Sequence, residues 1–169
     1  LSGSVPGNGE DIEIDSTSNY SGAKAHPIMS ALSSFIPKGV DILNGGKLRI
    51  TGSTAQLIVA GKDFNIDNDN AIGYTSYLTI DNAGFLSIVA DKKLKAKKGA
   101  SILLSGGTIF IEKDLEIDES NFTMNETTGS STVIINTDRN NKGKLKIKCN
   151  TNRNGTFDMA GGTFIINNG

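Results

Sequence analysis

The chain has 169 residues and a formal net charge of −1, which fits one domain or one elongated repeat array and leaves no electrostatic footprint for nucleic acid or an anionic membrane. It holds no apolar run long enough to span a bilayer and no signal peptide, and it begins at Leu1, which reads as a processed chain or a fragment. Twenty glycines, three prolines and no tryptophan point to short strands joined by tight turns, and the single Cys149 excludes an internal disulfide framework or a multi-cysteine metal site.

Residues 1–22 read as an N-terminal extension. Within it "DIEID", residues 11–15, predicts a strand with Ile12 and Ile14 facing inward and Asp11, Glu13 and Asp15 facing outward. A polar linker, "STSNYSGAK", follows. In 23–39 the stretch "HPIMSALSSFIP" predicts a short helix: Pro27 suits its first turn, Ile28, Leu32, Phe35 and Ile36 share a side, and Pro37 stops it. Such a helix caps the first coil of a repeat array. The array itself is predicted over 40–169, opening with "VDIL" at 40–43.

From Lys47 the chain becomes a string of short alternating segments, among them "KLRIT", "QLIVA", "DFNID", "YLTID", "KLKAK", "TIFIE", "DLEID" and "KLKIK". Each places two apolar residues one residue apart, the signature of a strand with one buried face. The first inward residues recur about every seven or eight positions, and Gly, Asn and Asp fill the gaps. An antiparallel sandwich does not require so even a beat; a solenoid does. The fold class predicted is all-β: a parallel β-solenoid with three strands per coil and about five coils, preceded by the N-terminal strand and the capping helix.

Three strands per coil also explain the charges. The third face then collects "DFNID", "KLKAK", "DLEID" and "KLKIK". Its outward residues alternate in sign: Asp63 and Asp67, then Lys93, Lys95 and Lys97, then Asp114, Glu116 and Asp118, then Lys144, Lys146 and Lys148. Coils stack about 4.8 Å apart, so each comb meets one of opposite sign, and each such pair contributes about 0.2–1 kcal/mol. The same threading turns Cys149 inward as a small hydrophobe. It makes the first face polar at Arg49, Thr79, Thr123 and Asp158, with Leu103 the exception. On the second face it lines up an outward ridge of Ile58, Ser87, Phe110, Ile134 and Ile165, flanked by Phe85 and Val89. A ridge so apolar is expected to be covered in an assembly.

The strand beat, the Gly and Asn turns and the insertions confined to corners ("DNDNAIGYTS", "TDRNNKG") resemble the right-handed parallel β-helix of pectin-lyase-like proteins, bacterial surface adhesins and phage tailspikes or tail fibres. The resemblance covers about residues 40–167. It implies an extracellular, cell-surface or virion location and carries over no functional residues.

Chemistry is sparse. Glycosidases need two carboxyls at a set separation, one with a raised pKa, whereas the carboxylates here stack against lysines, which lowers theirs. Asp158 is the best enzyme candidate and has no evident partner. Asp67 and Asp69 hint at a calcium loop, but Ile72 stands where its glycine belongs and Leu78 where its glutamate belongs. His26 reads as a surface or capping residue. The glycine pairs lack the strand-to-helix context of a phosphate loop. The sequons at Asn19, Asn121, Asn125 and Asn154 are what chance gives in so Asn- and Thr-rich a chain. No cofactor is expected.

Two functions follow: a structural subunit of an extracellular filament or fibre, partnered by itself, or a tail-fibre, tailspike or adhesin module binding cell-surface glycans. Absence of Trp and scarcity of Tyr weigh against a sugar platform. The threading ends on a second-face strand, leaving a place above Lys144, Lys146 and Lys148. An acid-combed strand is needed there, and residues 11–15, donated by a neighbouring copy, match it.

Overall fold

A computed structural model describes residues 8–15, 27–30, 33–68, 75–137, 143–148 and 155–168. Among them are eighteen strands and no helix. They come three to a coil. The first coil is β1 (Asp11–Asp15), β2 (Ile28–Met29) and β3 (Ser33–Phe35); the second is β4 (Gly39–Leu43), β5 (Lys47–Thr51) and β6 (Ala55–Val59). The third is β7 (Phe64–Asp67), β8 (Tyr77–Asp81) and β9 (Phe85–Ile88); the fourth is β10 (Leu94–Lys97), β11 (Ser101–Ser105) and β12 (Thr108–Ile111). The fifth is β13 (Leu115–Asp118), β14 (Asn121–Asn125) and β15 (Thr132–Thr137), and the sixth is β16 (Leu145–Lys148), β17 (Thr156–Met159) and β18 (Thr163–Asn168).

Every third strand pairs in parallel, giving three six-stranded sheets: β1-β4-β7-β10-β13-β16 on the third face, β2-β5-β8-β11-β14-β17 on the first, and β3-β6-β9-β12-β15-β18 on the second. Register keeps like positions in columns. Val40, Phe64, Leu94, Leu115 and Leu145 form one, and Leu48, Leu78, Ile102, Phe122 and Phe157 another. In coils two to five these inward residues are buried, so the three sheets enclose one continuous apolar core. Full burial of such a side chain contributes about 1.5–3 kcal/mol. Each coil therefore depends on the next to cover its core residues.

Three expectations are corrected. Among the described residues no helix caps the array. "HPIMSALSSFIP" makes β2 and β3, which pair with β5 and β6. Between two prolines a helix is too short to stand alone. Laid along the coil, the segment instead ladders with the strands beside it, as in the Arg49 N–H to Pro27 carbonyl bond of 3.1 Å. Its apolar residues part company: Met29 and Phe35 pack on the core, while Ile28 and Ile36 face solvent. Leu32 lies outside the described residues.

Second, the solenoid does not begin at residue 40, because β1, β2 and β3 already form its first coil; there are six coils rather than five. Third, each coil starts with its third-face strand, so the last coil, β16-β17-β18, is complete. Among the described residues β16 is the edge strand of its sheet, and the sixth coil itself lacks no strand.

Corners carry the backbone strain. Asn44, Lys98 and Glu119 hold φ of 48°, 54° and 52° at the turn from the third face to the first. At Gly46 the coils approach so closely that a Cβ would run into the Ile14 carbonyl of the coil below.

Candidate functional site

The third face carries a ladder of charges, and the ends of the solenoid carry its exposed apolar surface. In the ladder Lys95 lies in register with Glu116, and Glu116 with Lys146. The ammonium groups also reach diagonally. Lys95 Nζ bonds Asp63 at 2.5 Å, while Lys93 Nζ bonds Glu116 at 2.9 Å and stands 3.4 Å from Asp114. Lys146 Nζ bonds Asp114 at 2.6 Å and Glu116 at 2.9 Å. Long side chains span the diagonal between neighbouring strands, so register does not dictate partners one to one.

Asp63 and Asp114 do the same job one acid–lysine pair of coils apart. Asp63 accepts the Lys93 N–H at 2.9 Å, and Asp114 accepts the Lys144 N–H at 2.9 Å. Burial pushes the Asp63 carboxyl up, but the hydrogen bonds from Lys95 and the Lys93 backbone, with both lysine charges, outweigh it and leave the pKa below the usual carboxylate range. Burial likewise pushes Glu116 up. The hydrogen bonds and charges of Lys146 and Lys93 overcome it and bring the pKa to about 2. Hydrogen bonds to Asp114 and Glu116 raise the Lys146 ammonium in turn. The lowered pKa keeps Asp63 and Glu116 ionised and paired with lysines.

Where the ladder begins, its sign alternation fails. β1 pairs with β4, with Glu13 opposite Asp41 and Asp15 opposite Leu43. The acid strand is seated in its own chain, not held out for donation. From the corner Lys62 Nζ meets Asp11 at 2.5 Å, and its pKa rises through that hydrogen bond and charge. Asp41 takes a 2.7 Å hydrogen bond from Asn65. At the other end Lys144, just before the last third-face strand, and Lys148, on it, are exposed.

Exposed large apolar side chains cluster at the same two ends. Ile28 (59%) and Ile36 (38%) belong to the first coil, and Ile147 (46%), Met159 (43%) and Ile166 (45%) to the sixth; among the described residues only Tyr77 (38%) lies between. The three in the sixth coil occupy inward columns, beside Ile117, Met124 and Ile135. They are core residues without a coil above them. The second-face ridge does form in register, from Ile58 through Ser87, Phe110 and Ile134 to Ile165. Its members are half-buried, with Ser87 fully so, each shielded in part by its neighbours in the column.

Other sequence candidates gain little. Asp158 is exposed in the last coil beside Thr123. Asp67 has one carboxyl oxygen buried without a hydrogen bond, 3.9 Å from the Lys98 ammonium, a poor start for a cation site. Among the described residues no three His, Cys, Asp or Glu side chains gather in metal-binding range. His26, Asp69, Cys149, Asn19 and Asn154 lie outside the described residues. Asn121 and Asn125 are ladder residues, accepting hydrogen bonds from Thr156 and Ser105 respectively. Sequence reasoning missed the end-coil residues Met29, Phe35, Met159 and Ile166. Met159 and Ile166 carry the strand alternation, Met29 and Phe35 lie in the segment read as a helix, and only the stack shows that all four belong to its end coils. No protein family, curated protein or solved structure matches the chain.

Proposed function

We propose that the chain is a structural subunit that polymerises end to end into a filament or fibre. One observation carries this reading: the exposed apolar side chains concentrate at the two ends of the solenoid, where its parallel sheets are open. Open strand edges above exposed core residues are a surface that natural β proteins keep covered. A second copy stacked coaxially covers both with more of the same structure, and a contact between unlike ends propagates instead of closing. The extracellular or virion setting rests on the resemblance of the coil repeat to adhesins and fibres. A glycan-binding module is the weaker reading. Among the described residues Tyr77 is the one strongly exposed aromatic, and it lies under the Lys47 ammonium, 5.7 Å from the ring centroid.

Negative-stain microscopy and sedimentation across a concentration series test this. Filaments should appear with increasing concentration and diffract at about 4.8 Å along their axis. A protein that remains monomeric at every concentration is not such a subunit.

A further inference from the structure

The joint between copies can be specified, because the chain already contains its template. The third-face strand of the fourth coil with its leading residue, Lys93-Leu94-Lys95-Ala96-Lys97, differs from that of the last coil, Lys144-Leu145-Lys146-Ile147-Lys148, at one position. The strand that stacks on the former, Asp114-Leu115-Glu116-Ile117-Asp118, differs from Asp11-Ile12-Glu13-Ile14-Asp15 at one position, Leu for Ile. The contact of β10 with β13 is thus written a second time in the sequence, split between the two ends of the molecule. We propose that β16 of one copy receives β1 of the next as β10 receives β13, joining the molecules head to tail into a continuous solenoid. This rests on the filament reading and names its interface.

Inside the chain the template contact is well made. Lys93 Nζ bridges Glu116 at 2.9 Å and Asp114 at 3.4 Å, and the Leu94 and Lys98 N–H groups donate to the Asp114 and Asp118 carbonyls at 3.1 Å each. Carried to the joint, Lys144 faces Asp11 and Glu13 of the next copy, and Leu145 and Ile147 meet its Ile12 and Ile14. The other two sheets agree without adjustment. Met29 shares a column with Ile50, Ile80, Leu104, Met124 and Met159, so Met159 meets Met29 of the next copy. Phe35 shares one with Leu57, Leu86, Ile109, Val133 and Phe164, so Phe164 meets Phe35.

Charge also sets the polarity. Stacking two C-terminal ends would lay lysine on lysine, and two N-terminal ends acid on acid, so only the head-to-tail joint is complementary. The ladder says where Glu13 is better satisfied: in its own chain it lies opposite Asp41, and in the joint it lies opposite Lys146. Six coils add about 29 Å of filament per subunit.

Two substitutions and a peptide test the joint. Glu13→Lys places a cation beside Asp41 in the chain and a cation against the lysine comb in the joint. It should leave the monomer's melting temperature level or higher and raise the critical concentration for assembly about tenfold or more. Lys144→Glu, whose side chain is exposed, should raise the critical concentration likewise from the other end. Mixed together, the two variants set opposite charges across the joint again and should co-assemble where neither does alone. Excess peptide "GEDIEIDS" should shorten wild-type filaments by occupying β16. If wild-type filaments form but both variants polymerise normally, or the mixture fails and the peptide does nothing, the joint is wrong and the filament reading stands. If the wild type never assembles, both fall.

Discussion

Glu116 is the carboxylate most deeply committed to the charge ladder, and Glu116→Gln measures what that ladder contributes. Its side chain is 21% exposed and accepts two ammonium groups at 2.9 Å, from Lys93 one coil below and Lys146 one coil above. A pKa of about 2 against an ordinary 4.5 corresponds to at most about 3 kcal/mol of stability at neutral pH. Two features reduce that ceiling. The lysines are partly exposed, which screens the pairs, and both keep Asp114 when Glu116 is neutralised, at 3.4 and 2.6 Å. The expected loss at pH 7 is about 1–2 kcal/mol. Its pH dependence is the sharper signature. Because the folded pKa is depressed, the contribution is whole above about pH 4.5 and disappears as the pH falls through about 2. Urea unfolding of wild type and variant at several pH values between 2 and 7, below the assembly concentration, should therefore show two midpoints that converge in acid. A difference that stays constant across that range, or no difference at pH 7, would show that the lysines do not hold the carboxylate as the geometry implies.

Lys95 should couple to Asp63 and not to Glu116, its partner by register. A double-mutant cycle on Lys95→Gln with Asp63→Asn is expected to give about 0.5–1 kcal/mol, and the cycle with Glu116→Gln close to zero. Glu119 adopts φ 52°, so Glu119→Gly should relieve corner strain and stabilise by about 0.5–1 kcal/mol, read as a higher denaturant midpoint. On the second face, Phe110→Ser with Ile134→Ser should leave filament length unchanged while reducing any side-to-side bundling seen by microscopy. Loss of the filaments themselves would move the ridge into the axial joint.

The period-two alternation determined the strands, the three-strand coil and the inward columns. Leu94, Leu115 and Leu145, predicted inward from spacing alone, stand in one column. From β7 to β16 sign alternation matches the order of stacking, because like-charged combs in register repel, while β1 stacks acid on acid with β4. Where each apolar residue has one possible role, pattern and structure agree. They part in "HPIMSALSSFIP", where a helical stripe and a pair of short strands place apolar residues equally well, and only the ladder offered by β5 and β6 decides between them. They part again in the ladder, where register sets which backbones meet but the reach of a lysine sets which charges touch. Ile147 and Ile117 each stand two residues after a leucine, between two charged residues, in the same alternation. Burial by the coil above separates them, 46% exposed against 1%, and that is a property of position in the stack which no local pattern contains.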